Sequence, residues 1–356
     1  MEWNVNQTTL SRAQMVSLPK AEVHVHLEGC FEPEQLSAWA LSSGIPMPRK
    51  QSELLNFNGL ADFLDFLDWS CSLVSSRERL AQLSYSYAQR LSRDGGLYAD
   101  LIFNPTHWKA WRGRLGDMID AIDAGLRAAE EDGLASVGLC VSLLRRQTAA
   151  EASELVDFLT ALRHPRVVAL SVDGNEAVTK GSGARFAQAF AQAGKAGLKR
   201  TVHAGESSGA EGVRDAILLL GADRIDHGVR AIDDPAVVAL LAERRIPIGV
   251  CLTSNIKLGV YPGYAEHPLR RLRDAGVIAT INTDDPVLLH TTLVDEYLIC
   301  QSEFAFSTQD IVDVALNAFA ASFAGDEAKT EYRKKMDLWV ASLNTENGDK
   351  RCARRK

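Results

Sequence analysis

The chain has 356 residues, 46% of them hydrophobic and 24% charged, with a formal net charge of −7. That is the composition of an ordinary globular protein, long enough for one large domain or two. The negative balance offers no general attraction to phosphate backbones or anionic lipid, and no apolar run reaches the roughly 18 residues of a membrane span, so neither nucleic acid nor membrane is expected as a partner.

The N-terminus carries an early acid and no apolar signal core, and six cysteines are scattered without CxxC spacing. Both features fit reduced thiols in a cytoplasmic protein. Along the chain, short β-branched or apolar runs predict strands over 21–27, 97–103, 136–143, 167–172, 200–204, 224–227, 247–252 and 277–283. Between them, apolar residues at three- and four-residue spacing predict helices over 77–93, 116–131, 150–162, 184–196, 211–220 and 235–244. The stretch 33–69 is too long for a plain crossover and is expected to add helices above the strand ends. An apolar lid over 63–70 and a core helix are equally open readings there. Two closing helices follow, over 309–321 and 326–343.

Strand and helix alternating eight times is the pattern of a parallel sheet closed into a (β/α)₈ barrel of the TIM type. An open doubly wound sheet is the competitor, but no GxGxxG follows the first strand. No internal repeat or linker divides the chain. One domain over 1–356 is expected, with a core over 15–343 and a flexible basic tail over 344–356.

Polar clusters fall at the ends of strands one, five, six and eight, which in a barrel converge on one mouth. His24 and His26 are two apart on a strand and share a face. With His203 and Asp284 they make a set of three nitrogens and one oxygen that suits one zinc ion. A metal in such a set lowers the pKa of a bound water and supplies a nucleophile. Glu206, three residues past His203 with Gly205 between, is placed to move a proton. His227 is a candidate to orient the attacking hydroxide or to stabilise charge building on it, and Asp285, facing away from its neighbour Asp284, is a candidate to meet substrate or to hold His227. His107, His164 and His290 remain uncommitted, and His267 is expected to begin a helix.

The blocks PKAEVHVHLEG, VDGNE, VHAGE, RIDHG, CLTSN, AEHPLRRLRDAG and INTDDP occur in that order from residue 19 to 286. Together they resemble the adenosine deaminase family of metal-dependent amidohydrolases, and NAFAASFAGDEAK is similar to the family's closing helices. The resemblance implies one zinc per chain, held by His24, His26, His203 and Asp284. It further implies Glu206 as proton donor to purine N1, His227 assisting the attack at C6, Asp285 at N7, the Gly174 backbone at N3, and His26 and Glu28 beside the substrate. The implied reaction turns adenosine or 2′-deoxyadenosine into inosine and ammonia, in purine salvage. One departure matters: at Glu28 the nucleoside enzymes carry aspartate, which contacts the ribose. Glutamate there, with SNIKL (254–258), resembles the adenine deaminase branch, which takes the free base to hypoxanthine. VDGNE, AEGV (210–213) and TLVDEY (292–297) resemble the nucleoside branch, and a 5′-modified adenosine such as aminodeoxyfutalosine is a further alternative.

Three other readings are weaker. HLE (26–28) matches the H-x-E of cytidine deaminases, but their PCxxC is absent. A binuclear hydrolase needs a bridging residue such as lysine at a middle strand end, where this chain has SVDGNE. A purine-binding protein without chemistry would have lost a ligand or Glu206.

Overall fold

β1 (Lys20–His26) opens a ring of parallel strands that runs in chain order through β2 (Gly96–Phe103), β3 (Ser136–Leu144), β4 (Val167–Asp173), β5 (Lys199–Ala204), β6 (Arg224–His227), β7 (Ile248–Val250) and β8 (Ala279–Ile281). The computed structural model describes residues 9–57, 59–179 and 182–353. The ring closes where Val25 bridges to Asp284 in parallel. There His26 N donates to Asp284 O at 2.8 Å, and Asp284 N donates to His24 O at 3.2 Å. This is the expected (β/α)₈ barrel.

The helices are α1 (Arg12–Ser17), α2 (Pro33–Ser43), α3 (Gly59–Ser72), α4 (Arg77–Arg93), α5 (Leu115–Glu131), α6 (Ala149–Leu162), α7 (Ser182–Lys195), α8 (Ala210–Leu218), α9 (Pro235–Arg244), α10 (Leu252–Lys257), α11 (Leu269–Asp274), α12 (Leu293–Glu303), α13 (Thr308–Ala321) and α14 (Asp326–Ala353). Local chemistry sets their ends. α6 begins with a reciprocal Thr148–Glu151 capping box, and α9 begins with Asp234 as cap and Pro235 in its first turn. The strands are buried on both faces, as a helix-covered parallel sheet requires. α4 buries Leu80, Leu83, Tyr87 and Leu91, the three- and four-residue stripe read from the sequence. α13 lies across β8 and β1 and covers the seam.

Strands seven and eight are shorter than expected. Leu252 leaves the predicted strand to start α10. Past Ile281 one more backbone bond, Asn282 N to Val250 O at 2.9 Å, continues the pairing with β7, while on the other side the Asn282 side chain accepts from Val23 N at 2.8 Å. α2 and α3 are the extra helices expected after β1. α3 buries Phe63, Phe66 and Leu67 and packs on the turn Leu27–Gly29, beside the mouth. α14 continues to Ala353 and makes most of the expected tail helical; 354–356 lie outside the described residues. Among the described residues, no helix is long and apolar enough to cross a membrane.

Within the barrel sits a buried ion pair. Arg224 Nη1 donates to Asp100 Oδ2 at 2.6 Å, and Tyr98 OH donates to Asp100 Oδ1 at 2.9 Å. Arg224 Nε lies 3.5 Å from Asp226 Oδ1, which also accepts from Thr201 Oγ1 at 2.7 Å. Asp226 therefore links this lower core to the mouth above it.

Candidate active site

At the C-terminal ends of β1, β5, β6 and β8 the polar clusters meet. His24 Nε2 lies 3.2 Å from His203 Nε2, and His26 Nε2 lies 2.9 Å from the same atom. Asp284 Oδ1 is 3.2 Å from His24 Nε2 and 3.4 Å from His26 Nε2. Tetrahedral zinc with nitrogens at about 2.0–2.1 Å sets neighbouring ligand atoms roughly 3.3 Å apart, the spacing seen here. His24 Nδ1 donates to Gly249 O at 3.1 Å, which turns Nε2 toward the cluster, where it takes a metal ion or, without one, a proton. Lone pairs packed this closely need a cation between them.

The electrostatics agree. Burial alone would lower the His24 imidazole, yet the Asp284 and Asp226 carboxylates raise its pKa to about 9. Asp284 opposes its own burial and is held well below the usual carboxylate range by His24. The site calls for positive charge. His203 Nδ1 lies 3.4 Å from Asp226 Oδ2, a carboxylate behind an imidazole, as metal sites use to orient a ligand. Asp226→Asn is expected to weaken divalent-metal binding about 10- to 100-fold. Chelator competition measures it, and unchanged affinity would remove Asp226 from that role.

His24, His203, His227 and Asp284 offer atoms within 4.8 Å of one another, so His227 competes with His26 as the fourth ligand. Hydrogen bonding decides between them. Leu269 N donates to His267 Nδ1 at 3.3 Å, so the His267 proton sits on Nε2, which donates to Asn255 Oδ1 at 3.0 Å. The Asn255 amide then donates to His227 Nδ1 at 3.3 Å. Burial, with the His24 charge, lowers the His227 pKa to about 4, so the ring is neutral and its one proton is on Nε2. An Nε2–H faces Glu206 Oε1 at 3.5 Å and Asp284 Oδ2 at 4.0 Å; it is a donor, not a ligand. His227 and Asp284 both hold left-handed backbones, with φ of 64° and 67°, a cost of about 1–3 kcal/mol each that turns their side chains toward the cluster.

Around this centre lie the remaining groups. Burial, then Asp284, pushes the Glu206 carboxyl up to about 7. Burial, then Asp284 and Glu28, raises the Asp285 carboxyl well above its usual range. A Cβ added at Gly29 would sit 2.2 Å from Asp285 Oδ1, so only glycine admits that approach. Glu28 is buried, and its Oε1 accepts from Trp108 Nε1 at 2.7 Å and Asn104 N at 2.8 Å. Among the described residues its Oε2 has no partner. Asn104 Nδ2 donates in turn to Asp173 at 2.6 Å, next to Gly174, which turns with φ of 93°.

This sequence matches the family described as Adenosine deaminase over residues 19–339. The chain belongs to the adenosine deaminase family. Members hydrolyse a C–N bond, and the protein is a hydrolase of that class. It is 32% identical to a protein of Vibrio parahaemolyticus named adenine deaminase, covering 91% of this chain and 96% of that one. A Cupriavidus necator protein of the same name is 34% identical over 92% and 94% of the two chains. Among solved structures, adenine deaminase from Arthrobacter aurescens superposes with a TM-score of 0.85 at 28% identity, over 91% and 99% of the chains. A zinc-bound amidohydrolase from Burkholderia ambifaria gives 0.86 at 27% identity, over 97% and 100%.

Every site residue expected from the sequence lies at this mouth or on a loop bordering it. His107 pairs with Asp68 and stands close enough to Glu28 for its charge to lower that carboxyl, whereas His164 and His290 lie elsewhere, beside Asp120 and the Leu55 carbonyl. His267 is buried and precedes α11 rather than beginning it. Sequence reading assigned no role to Asp226, Asn255, Ser254, Trp108, Arg145 or Glu176. Ser254 Oγ donates to Asp284 Oδ2 at 2.6 Å; the signals available were the blocks themselves, CLTSN for Ser254 and Asn255, RIDHG for Asp226 and VDGNE for Glu176.

Proposed function

We propose that the protein hydrolyses adenine, the free base, to hypoxanthine and ammonia. The observation that carries this is Glu28. One of its oxygens is held by two donors, and the other is buried without a partner among the described residues. A buried acceptor left unpaired costs about 1–3 kcal/mol. The N9–H of adenine satisfies it, and adenosine has a sugar carbon at that position. The similar proteins named adenine deaminase support the same substrate. They favour this alternative over the nucleoside reading drawn from VDGNE, AEGV and TLVDEY.

His24, His26, His203 and Asp284 hold one zinc ion; the convergent Nε2 atoms fit it, and the zinc-bound relative supports the choice. Bound there, zinc supplies Lewis acidity that brings the pKa of a water toward neutrality. The chain's own groups do the rest. Glu206, protonated near neutral pH, gives its proton to N1 as C6 is attacked. The His227 Nε2–H orients the incoming oxygen. Asp285 donates its proton in a hydrogen bond to N7, and the Gly174 backbone meets N3, its peptide fixed where Gly174 O accepts from Arg145 Nε at 3.1 Å.

The test compares kcat/KM for adenine, adenosine, 2′-deoxyadenosine and a 5′-modified adenosine. Adenine is expected to lead by at least about 100-fold, because a site built around a ligand N–H rejects the analogue lacking it. Faster turnover of any nucleoside would overturn the assignment. Glu28→Asp withdraws the carboxylate by one methylene and is expected to raise the adenosine-to-adenine ratio about 10-fold or more. An unchanged ratio would remove Glu28 as the selector.

A further inference from the structure

Glu206 stands on a loop with no regular structure of its own. The chain leaves β5 at Ala204, turns at Gly205 with φ of 67°, and becomes helical again at α8. Four successive backbone amides of this loop converge on one carboxylate, that of Glu176, just past the end of β4. Gly205 N donates to Oε1 at 3.2 Å. Glu206 N, Ser207 N and Ser208 N donate to Oε2 at 3.0, 3.2 and 3.3 Å. Ser208 Oγ adds a fifth bond to Oε1 at 2.7 Å, and Glu176 N returns one to Ser207 Oγ at 3.1 Å. Consecutive N–H groups around an anion form a nest of the kind that binds phosphate in other proteins. Here the chain supplies its own anion, 6% exposed. Behind it the Arg145 guanidinium lies 3.7 Å from Oε1 and also donates to the carbonyls of Gly174 and His203.

The same device recurs around the mouth. Buried Glu22 accepts from Thr283 N at 3.0 Å, one residue before Asp284. Buried Glu296 accepts from Leu252 N at 2.9 Å and Thr253 N at 3.2 Å, just before Ser254 and Asn255. Glu176 holds the largest number of amides, and it holds the residue that moves the proton.

We propose that Glu176 is the positioning residue for Glu206: it fixes the 205–208 backbone so that the Glu206 carboxyl meets the substrate nitrogen, without touching substrate itself. The inference rests on Glu206 as proton donor. Glu176→Gln turns an acceptor oxygen into an NH₂ that opposes the loop's own donors. Misplacing a catalytic group by about 1 Å costs on the order of 100-fold, so kcat is expected to fall about 10- to 100-fold. KM for the substrate the wild type prefers should stay within about threefold, because Glu176 bonds the 205–208 amides and not the Gly174 peptide, whose carbonyl keeps its bond from Arg145 Nε. Bound metal should stay at the wild-type level, and amide hydrogen exchange over 205–208 should accelerate at least about 10-fold.

A kcat within twofold of wild type overturns the proposal, whatever happens to the melting temperature. So does a loss explained by missing metal or by KM alone. If the variant does not fold, Ser208→Ala removes only the hydroxyl bond and is expected to lower kcat about two- to fivefold with KM unchanged; no change in kcat then overturns it. A wild-type protein that deaminates no purine sinks the proposed reaction, while the exchange measurement still decides whether Glu176 holds the loop.

Discussion

Replacing Glu206 by glutamine is expected to lower kcat by about 100- to 10,000-fold, the range that a positioned proton donor contributes. The carboxyl is buried, and burial with the Asp284 charge brings its pKa to about 7, where it is a ready acid at neutral pH. Glutamine keeps the shape and loses the transferable proton. In the proposed site Glu206 stands outside the ligand set, with the His227 Nε2–H at 3.5 Å as its contact. Metal content should therefore match the wild type, and KM should change little. Elemental analysis beside steady-state kinetics measures both. A variant with near-normal kcat would end the proton-donor assignment, and one that lost its metal would place Glu206 in the coordination set.

Removing the metal is expected to abolish turnover altogether and to lower the melting temperature. Without a cation, three imidazole nitrogens and the Asp284 carboxylate face one another within about a hydrogen-bond length, with Asp226 behind. A ligand present at a thousand times its Kd stabilises a fold by roughly 4 kcal/mol. An unfolding entropy of roughly 2.1 cal/mol/K per residue then makes the shift about 5 °C for a chain of this length. Dialysis against a chelator, followed by calorimetry and an assay, measures the loss; adding zinc should restore both properties. His203→Ala should show the same losses without recovery, because it removes the nitrogen shared by both short contacts. Full activity in metal-free protein would overturn the metal assignment.

The barrel was legible in the sequence because each strand is a short apolar run bounded by turn residues. β6 starts and ends where RIDH predicts. β7 and β8 were read too long for a shared reason: apolar and polar residues beyond Val250 and Ile281 fit an extended strand equally well. Only tertiary contacts reveal that Leu252 opens a helix and that Asn282 pairs through its side chain. His24, His26, His203 and Asp284 stood out because imidazoles and carboxylates at strand ends are rare without a purpose. The groups that hold them did not. Glu176 acts on amides about thirty positions away, and Asp226 acts on an imidazole in the neighbouring strand. VDGNE and RIDHG contain these two residues, but neither block shows which amides or which imidazole the ring's geometry sets against them. His267 shows the limit most plainly. It reads as a helix start, yet through Asn255 it selects which nitrogen of His227 carries hydrogen.

The bridge from Val25 to Asp284 has a consequence for biosynthesis. The carboxylate that faces His24 belongs to the stretch that shuts the ring, some 260 positions later in the chain. On a ribosome, every earlier strand emerges before that residue does. A growing or truncated polypeptide therefore has neither a finished ring nor a complete set of ligands. The proposed metal centre is thereby tied to closure of the ring.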